Sequence, residues 1–460
     1  MSWFRAMPSP ARVCAVLAVA LGVAAPASAR APETTAHQLH RRGVHCMEEL
    51  ERPECAIERF EALLDEDTRE RALVTDAILR LVKLYSKLDR DEELRAVLRR
   101  FWEAGGRRQR QGHLPYSARH LPPDLDFVAH VDIAATLAAP FTARMPAELV
   151  EAVTTCDDAR RKELGEAWDR RRAQRRASER GITPEAALTS LQEEEKAQRE
   201  RYKARAKERE AQGRPSDPPV FGTGLCALAR ALEMDSTATW GRAAFAASHR
   251  DSRRSAAIVQ IPGLAARIAA AVERGSLVTV SPGRYALAGH EYAGAAVEVQ
   301  SFDLDEATLA PVALMPEIAG AAAERRDTMD RKVKKLIAGV PLGSSFFAVT
   351  TGEAIQEMGL GDVKGSKRRM LEALLPRPTG LQVAGVVHDY FGVFLRMPTD
   401  NPVKAGLLVD LVRRLVDDPD ADPADQEFLR GLDLTQATDR QALLLSFVTS
   451  PVQLESMLLR

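Results

Sequence analysis

The stretch Leu121-Pro-Pro-Asp-Leu-Asp-Phe-Val-Ala-His-Val-Asp132 is matched without a gap, 219 residues further on, by Val340-Pro-Leu-Gly-Ser-Ser-Phe-Phe-Ala-Val-Thr-Thr351. Proline, phenylalanine and alanine coincide at the same places of both stretches. In each, a turn leads into a short apolar run that predicts a strand, and a helical pattern follows. We therefore expect two copies of one strand–helix unit.

Each unit continues with a predicted β-hairpin and a further helix. The hairpin strands are expected at 240–247 and 255–261 in the first unit, and at 381–388 and 392–397 in the second. Residues 279–289 and 435–445 also align and predict a closing strand in each unit. The expected fold class is α+β, with two related modules at 114–305 and 306–460. This pattern resembles secreted α+β proteins that have no assigned function.

A highly charged segment, 157–213, interrupts the first module. It holds 13 acidic and 16 basic residues among 57, and its helix propensity is high. Gly181 separates two predicted helices, and Thr183 and Pro184 suit the N-cap and first position of the second. We expect a helical-hairpin arm in solvent, each helix about 35–45 Å long. The basic block Arg170–Arg180 could contact an anionic surface, or it could be a solvated face.

Residues 34–104 are expected to form four helices in two hairpins, because their apolar residues recur at helical spacing. The segment Cys55-Ala-Ile-Glu-Arg-Phe60 is echoed by Ala96-Val-Leu-Arg-Arg-Phe101. This echo resembles a tetratricopeptide-type helical array, and the resemblance implies at most a partner-binding surface. The expected helical domain spans 30–113. A plain helical cap is the alternative.

The first 29 residues have the pattern of a secretory signal peptide. Arg5 and Arg12 precede the short apolar run Val13–Ala25, and Ala27-Ser28-Ala29 supplies the small residues of a cleavage site. We expect cleavage after Ala29 and a periplasmic or secreted protein. No later segment of the sequence is long and apolar enough for a membrane span, which needs about 20 residues. The expected mature protein has no integral membrane segment.

Charge and cysteine content narrow the possible partners and predict which cysteines are bonded. The formal net charge is −1, and removal of the two arginines of the signal peptide leaves −3, which argues against nucleic acid as a partner. The remaining cysteines are Cys46, Cys55, Cys156 and Cys226. An even number in an oxidising compartment predicts disulfides. Of three possible connectivities, local geometry favours Cys46–Cys55 and Cys156–Cys226, the second of which would clamp the base of the arm.

Two groups of residues could suggest a metal or phosphate site. His37, His40 and His45 lie with Cys46 on one predicted helix, but zinc ligands usually come from two elements, so a solvated helix face is expected. The glycine-rich segment Gly359–Lys367 lacks the spacing of a phosphate-binding loop and follows a helix rather than a strand. We interpret it as a loop.

Two further groups could suggest catalysis. His388-Asp389-Tyr390 falls at a predicted hairpin tip, where such residues form turns, and no nucleophile motif accompanies it. Gly289-His-Glu-Tyr292 lacks the second histidine of a zincin helix and is interpreted as a strand-end turn.

These patterns assign no catalytic, cofactor-binding or metal-binding residue and imply no cofactor. We predict an exported, non-enzymatic binding protein whose partner is a protein or another component of the cell envelope. The alternative is an envelope enzyme, or a carrier of a lipid or small ligand, with its site in a cleft between the two modules.

Overall fold

A computed structural model describes residues 35–66, 70–106, 114–211, 223–251, 254–292, 295–341, 343–360, 377–407, 433–436 and 442–458. The predicted signal peptide lies outside these residues. The chain divides into two compact units, 1–73 and 74–460. Helices and an antiparallel sheet are both present, so the predicted α+β class is confirmed.

The described residues of the first unit include two complete helices, α1 (Thr35–Glu48) and α2 (Pro53–Asp65). Pro53 occupies the first turn of α2, where its missing N–H costs nothing. The predicted disulfide Cys46–Cys55 is present and joins the two helices, with Cα atoms 5.7 Å apart. A side chain at Gly43 would overlap the ring of buried Phe60, so glycine is what allows the helices to approach.

The remaining helices follow in chain order. They are α3 (Arg71–Lys87), which starts at the end of the first unit, α4 (Asp91–Gly106), a 3₁₀ helix (Tyr116–His120), α5 (Ile133–Ala138), α6 (Pro140–Ala143), α7 (Ala147–Thr154), α8 (Asp158–Arg180), α9 (Pro184–Ala211), α10 (Thr223–Ala231), a 3₁₀ turn (Thr237–Thr239), α11 (Leu264–Glu273), α12 (Met315–Ala323), α13 (Arg331–Ala338), α14 (Gly352–Leu360) and α15 (Pro451–Leu458). A helical turn also covers 402–407.

The strands are β1 (Phe127–Asp132), β2 (Arg242–Ala247), β3 (Ser255–Gln260), β4 (Leu277–Ser281), β5 (Arg284–Tyr292), β6 (Ala295–Ser301), β7 (Glu306–Pro311), β8 (Phe346–Thr351), β9 (Gly380–Val387), β10 (Phe391–Pro398), β11 (Asp433–Gln436) and β12 (Ala442–Thr449). Within the described residues they form one sheet, in the order β11-β12-β10-β9-β8-β1-β2-β3-β7-β6-β5-β4. Every neighbouring pair is antiparallel.

The two matched stretches of sequence lie at the centre of this sheet. They form β1 and β8, which pair with each other, and each is followed directly by a helix. Both predicted hairpins are confirmed as β2–β3 and β9–β10. The relationship between two complete modules stays a prediction.

The single closing strand predicted at 279–289 and at 435–445 is wrong, because each segment falls in two paired strands. Residues 279–289 lie in β4 and β5 at one edge of the sheet, whereas 435–436 and 442–445 lie in β11 and β12 at the other edge, where β12 also pairs with β10. The strand beside the first hairpin is β7, which was not predicted and which begins at Glu306, just past the predicted boundary. All six residues of β7 are buried, so no alternating pattern marks it.

Helices cover both faces of the sheet. Val131, Val259 and Leu309 pack on one face against α10 and α11. Phe394 points to the opposite face, where its ring lies 4.2 Å from that of Phe101 in α4. Among the described residues, no helix combines the length and hydropathy needed to cross a membrane.

Candidate functional site

A buried ion pair in α3 is the starting point of a connected cluster of charged side chains in the second unit. Asp76 has no exposed surface and Arg80 is 2% exposed. Their spacing of four residues places both on one face of α3, and Arg80 Nε donates to Asp76 Oδ2 over 2.6 Å. A buried charge is tolerated only when paired and hydrogen-bonded, so both groups depend on their partners.

Those partners come from the turn between β9 and β10. His388 Nδ1 lies 3.0 Å from Asp76 Oδ1 and 3.5 Å from Asp389 Oδ2. Arg80 Nη2 donates to Asp389 Oδ2 over 2.9 Å, and Arg144 donates to the other carboxylate oxygen of Asp389. Five side chains from α3, the residue after α6 and one turn thus form a continuous network, which we call the His388 cluster.

Hydrogen bonds to Asp389 and Asp76 raise the pKa of His388 to about 9, against the opposing effect of burial. The His388 contact, assisted by Arg80, lowers the pKa of Asp389 below its usual range. His388 is therefore an imidazolium at neutral pH, and the cluster holds three cations and two carboxylates. An imidazolium cannot serve as a general base or as a metal ligand.

Asp76, His388 and Asp389 offer ligand atoms within 4.8 Å of one another, which is a spacing that could hold a metal ion. Two guanidinium groups already occupy these carboxylates, and the histidine carries a proton. A metal ion would have to displace the guanidinium groups and the proton of the histidine. The arrangement fits an ion-pair network that fastens the β9–β10 turn to α3.

The ring of Tyr390 extends the same cluster. Lys83 Nζ lies 4.6 Å and the Arg80 guanidinium carbon 5.4 Å from the ring centre, which are cation–π distances. Burial, together with Lys87 and Arg80, lowers the pKa of Lys83. The sequence prediction of a turn at 388–390 is confirmed, since His388 N bonds to Tyr390 O over 3.0 Å. Sequence reasoning missed Asp76 and Arg80, which lie 312 and 309 residues from their partners.

The first hairpin carries a related but simpler contact. His249 follows β2 as His388 follows β9, and it bonds through Nδ1 to Asp126, just before β1. The backbone N–H of His249 also donates to Asp126 Oδ1 over 3.0 Å. Because β1 and β8 are antiparallel, the two histidines lie at opposite ends of the sheet.

The predicted helical arm is present as α8 and α9. Gly181 ends α8 in the left-handed conformation, and α9 begins at Pro184, with Thr183 Oγ1 accepting from Ala186 N as predicted for an N-cap. A small apolar seam joins the helices and is formed by Ala173, Ala177, Ala187, Leu188 and Leu191. Across it, Arg176 pairs with Glu194 at 2.7 Å.

The base of the arm is held in several ways. The second predicted disulfide, Cys156–Cys226, is present, with Cα atoms 5.0 Å apart, and joins the residues before α8 to α10. Asp157 caps α8 through Ala159 N and Arg160 N. Arg160 makes a two-pronged contact with Glu151 of α7, at 2.6 and 2.8 Å.

A groove of about 900 Å³ lies between α13, the start of α14 and the ends of β9 and β10. We call it the α13 groove. Its charged lining residues are Lys332, Lys335, Glu353 and Arg396, and its other polar ones are Thr351, Gln356, Thr379, Gln382 and Thr399. Sequence analysis did not predict this site, whose walls come from three separate parts of the chain.

The remaining sequence candidates are separated. His37 and His45 contact Glu70 and Glu49 at 3.1 and 2.9 Å, while His40 meets the ring of Phe60, so the three imidazoles have different partners. The segment Gly359–Lys367 lies outside the described residues from 361 onward.

The interpretation of 289–292 as a strand-end turn is wrong. These residues continue β5 past a register shift, and Gly289, with a φ of 67°, provides the bulge. Burial, together with Arg230, lowers the pKa of His290, which favours a neutral ring.

No protein-family model, curated protein or solved structure matches this chain.

Proposed function

We propose that this protein is an exported, non-enzymatic binding protein whose helical arm contacts a partner in the cell envelope. The observation that carries the proposal is the construction of the arm. Its helices have 23 and 28 residues, about 34 and 42 Å of rise. The apolar seam uses only a few residues of each helix, and Arg170, Gln174 and Arg180 lie outside it with exposed side chains.

Two disulfides support export, because such bonds form and persist mainly in oxidising compartments. The signal-peptide pattern of residues 1–29 points to the same route. The Cys156–Cys226 bond supports the role of the arm in particular, since it fixes the base from which the two helices extend.

Charge favours an acidic partner. Residues 169–180 contain six arginines and two acidic residues. Several of these arginines pair with nearby carboxylates, but Arg170 and Arg180 are exposed and have no carboxylate within 4.0 Å among the described residues. An exposed cation without a fixed partner can attract an acidic surface over a distance of about 10 Å at 0.1 M salt.

Site-specific photo-crosslinking in intact producing cells tests this proposal. A photoreactive residue at Gln174, which is exposed on α8, should give an adduct of one discrete mass, and a probe at Glu324, after α12, should give none. The double substitution R170E/R180E should remove the adduct, because it reverses the attraction. Reversal of two exposed cations of α9, K196E/K207E, is the matched control and should leave the adduct in place.

Excision of residues 168–197, closed by a short Gly/Ser turn, provides a second control. It removes the distal half of the arm and retains the disulfide and the Arg160–Glu151 contact. Because the excision removes Gln174, the probe in the shortened protein is placed at Glu166, which is exposed in the retained part of α8. A folded shortened protein that still crosslinks to the same partner from this position would contradict the proposal. So would equal crosslinking from Gln174 and Glu324.

A second candidate function, carriage of a small ligand, is favoured by the α13 groove. The sequence analysis placed such a site in a cleft between the modules. The groove lies instead within the second half of the sheet and the helices around it.

A further inference from the structure

The lining of the α13 groove is unevenly charged. Lys332, Lys335 and Arg396 supply three cations, and Glu353 supplies one carboxylate, which lies 3.4 Å from Lys332. Among the described residues, neither Lys335 nor Arg396 has a carboxylate within 4.0 Å. The groove therefore presents two cations whose charge is not neutralised by the side chains described around them.

Arg396 is fixed in direction by a buried amide. Gln382 is 1% exposed and lies opposite Arg396 in the β9–β10 pairing. Its Oε1 accepts from Arg396 Nη1 over 3.0 Å, and its Nε2 donates to Leu336 O at 2.6 Å. Because both ends of the amide are used, its orientation is determined, and one edge of the guanidinium is held while its other donors remain for a ligand.

Close packing between the elements that form its walls fixes the shape of the groove. A side chain at Gly339 would overlap Gln382, and one at Gly380 would overlap Leu336, so glycine lets α13 lie against β9 at both points. A side chain at Gly352 would overlap the carbonyl of Pro378, where the start of α14 meets the residues before β9. The first two contacts hold α13, which carries Lys335, against β9, and Arg396 lies on the neighbouring strand β10.

We propose that the α13 groove binds a small molecule carrying an oxyanion group, either a carboxylate or a phosphate, with Arg396 and Lys335 as the residues that bind it. The planar guanidinium matches the two oxygens of such a group, and the ammonium adds a second charge-assisted hydrogen bond. The volume of about 900 Å³ is that of a small-molecule site. Polar side chains alternate with Leu336, Pro378 and Pro398 along the rest of the lining, which suits a ligand with both polar and apolar parts.

The test measures binding of three probes to the full oxidised chain by isothermal titration calorimetry at low ionic strength. Inorganic phosphate and citrate represent the two oxyanions, and glucose is the neutral probe. We expect phosphate, citrate or both to bind with a dissociation constant below about 10 mM, and glucose not to bind. A response to phosphate alone assigns a phosphate-bearing ligand, and a response to citrate alone a carboxylate-bearing one.

Substitutions then locate the site. R396M and K335M should each weaken binding of the responding oxyanion by about tenfold, because each removes one charge-assisted contact. Lys335 is exposed, so K335M decides the question even if R396M fails to fold. The matched control is R331M, an exposed cation on the same helix outside the groove, which should leave affinity within about twofold.

Three results would overturn the proposal. These are no binding of either oxyanion to the unsubstituted protein, binding that K335M leaves unchanged, and equal weakening by K335M and R331M. None of these results depends on the arm, so the experiments test the α13 groove and the proposed partner surface independently.

Discussion

His388 Nδ1 lies 3.0 Å from Asp76 Oδ1, although the two residues are 312 positions apart in the chain. The contact joins α3, near the start of the second unit, to the turn between β9 and β10. Asp76 is fully buried, so its charge is supported by this imidazolium and by Arg80 rather than by water. The stability of the second unit should therefore depend on the protonation of one histidine.

Replacement of His388 by Gln should reveal a stability difference that depends on pH. The folded-state pKa of His388 is about 9, above the ordinary value of 6.5. A raised histidine pKa gives a stabilisation that is complete below pH 6.5 and is lost as the pH rises through 9. The difference in free energy of unfolding between the two proteins should shrink by up to about 3 kcal/mol over this interval.

Urea unfolding at pH 6.0 and pH 10 measures this difference. H45Q is the control, because His45 is half exposed and its side chain pairs with exposed Glu49, just after the end of α1. A difference between the unsubstituted protein and H388Q that stays constant across the interval would show that His388 has no raised pKa.

The buried pair Asp76–Arg80 should show strong non-additivity. In D76L, the buried guanidinium of Arg80 and the imidazolium of His388 each lose a carboxylate partner. The free energy of unfolding should fall by about 3–5 kcal/mol. The double substitution D76L/R80M removes opposite charges together and should cost less than the sum of the single substitutions. Denaturant unfolding of all four proteins gives the coupling energy.

An exposed pair provides the comparison for that cycle. Arg161 and Asp158 are 3.0 Å apart and both more than 40% exposed. Their coupling energy should be below about 1 kcal/mol, because water screens the pair. Equal coupling energies for the two pairs would mean that burial does not strengthen the Asp76–Arg80 contact.

Removal of each disulfide should destabilise the protein to a different extent. The Cys156–Cys226 bond spans 70 positions and the Cys46–Cys55 bond spans 9. Because each bond restricts the unfolded chain, the two bonds should contribute about 4 and about 2.5 kcal/mol, respectively, to the free energy of unfolding. C156S/C226S should also speed amide hydrogen exchange in α10, whereas C46S/C55S should leave α10 unchanged. Hydrogen exchange read by mass spectrometry, together with unfolding curves, tests both statements.

Gly352 and Gly320 should respond oppositely to alanine. A side chain at Gly352 overlaps the carbonyl of Pro378, so G352A should destabilise the protein by about 1–3 kcal/mol and weaken oxyanion binding in the α13 groove. Gly320 lies inside α12 with no atom within 4 Å of an added side chain. G320A should be neutral or stabilising by up to about 1 kcal/mol. A neutral G352A would contradict the close approach.

The centre of the sheet could be predicted from sequence because its two strands repeat each other. Ala129 and Ala348 occupy the same place in the matched stretches and lie directly opposite each other in the β1–β8 pairing. Two copies related by a local two-fold axis would meet in this way. The hairpins were equally predictable, since each consists of two apolar runs around a polar turn.

The candidate sites were much harder to predict. Asp76 and Arg80 look like an ordinary ion pair on a helix, and only the tertiary fold shows that they are buried against His388. The groove depends on close approaches at three glycines that no sequence pattern marks. The tetratricopeptide-like resemblance of residues 34–104 stays a prediction, since four helices in sequence are compatible with a repeat or with a plain helical cap.

The state of the cysteines in protein recovered from producing cells tests the central claim, an exported and crosslinked binding protein, most directly. Intact-mass measurement with a thiol-alkylating reagent, before and after reduction, gives both the first residue of the chain and the number of free thiols. We expect a chain beginning at Arg30 that takes up no label before reduction and four labels afterwards. A chain beginning at Met1, with its thiols labelled before reduction, would contradict the account.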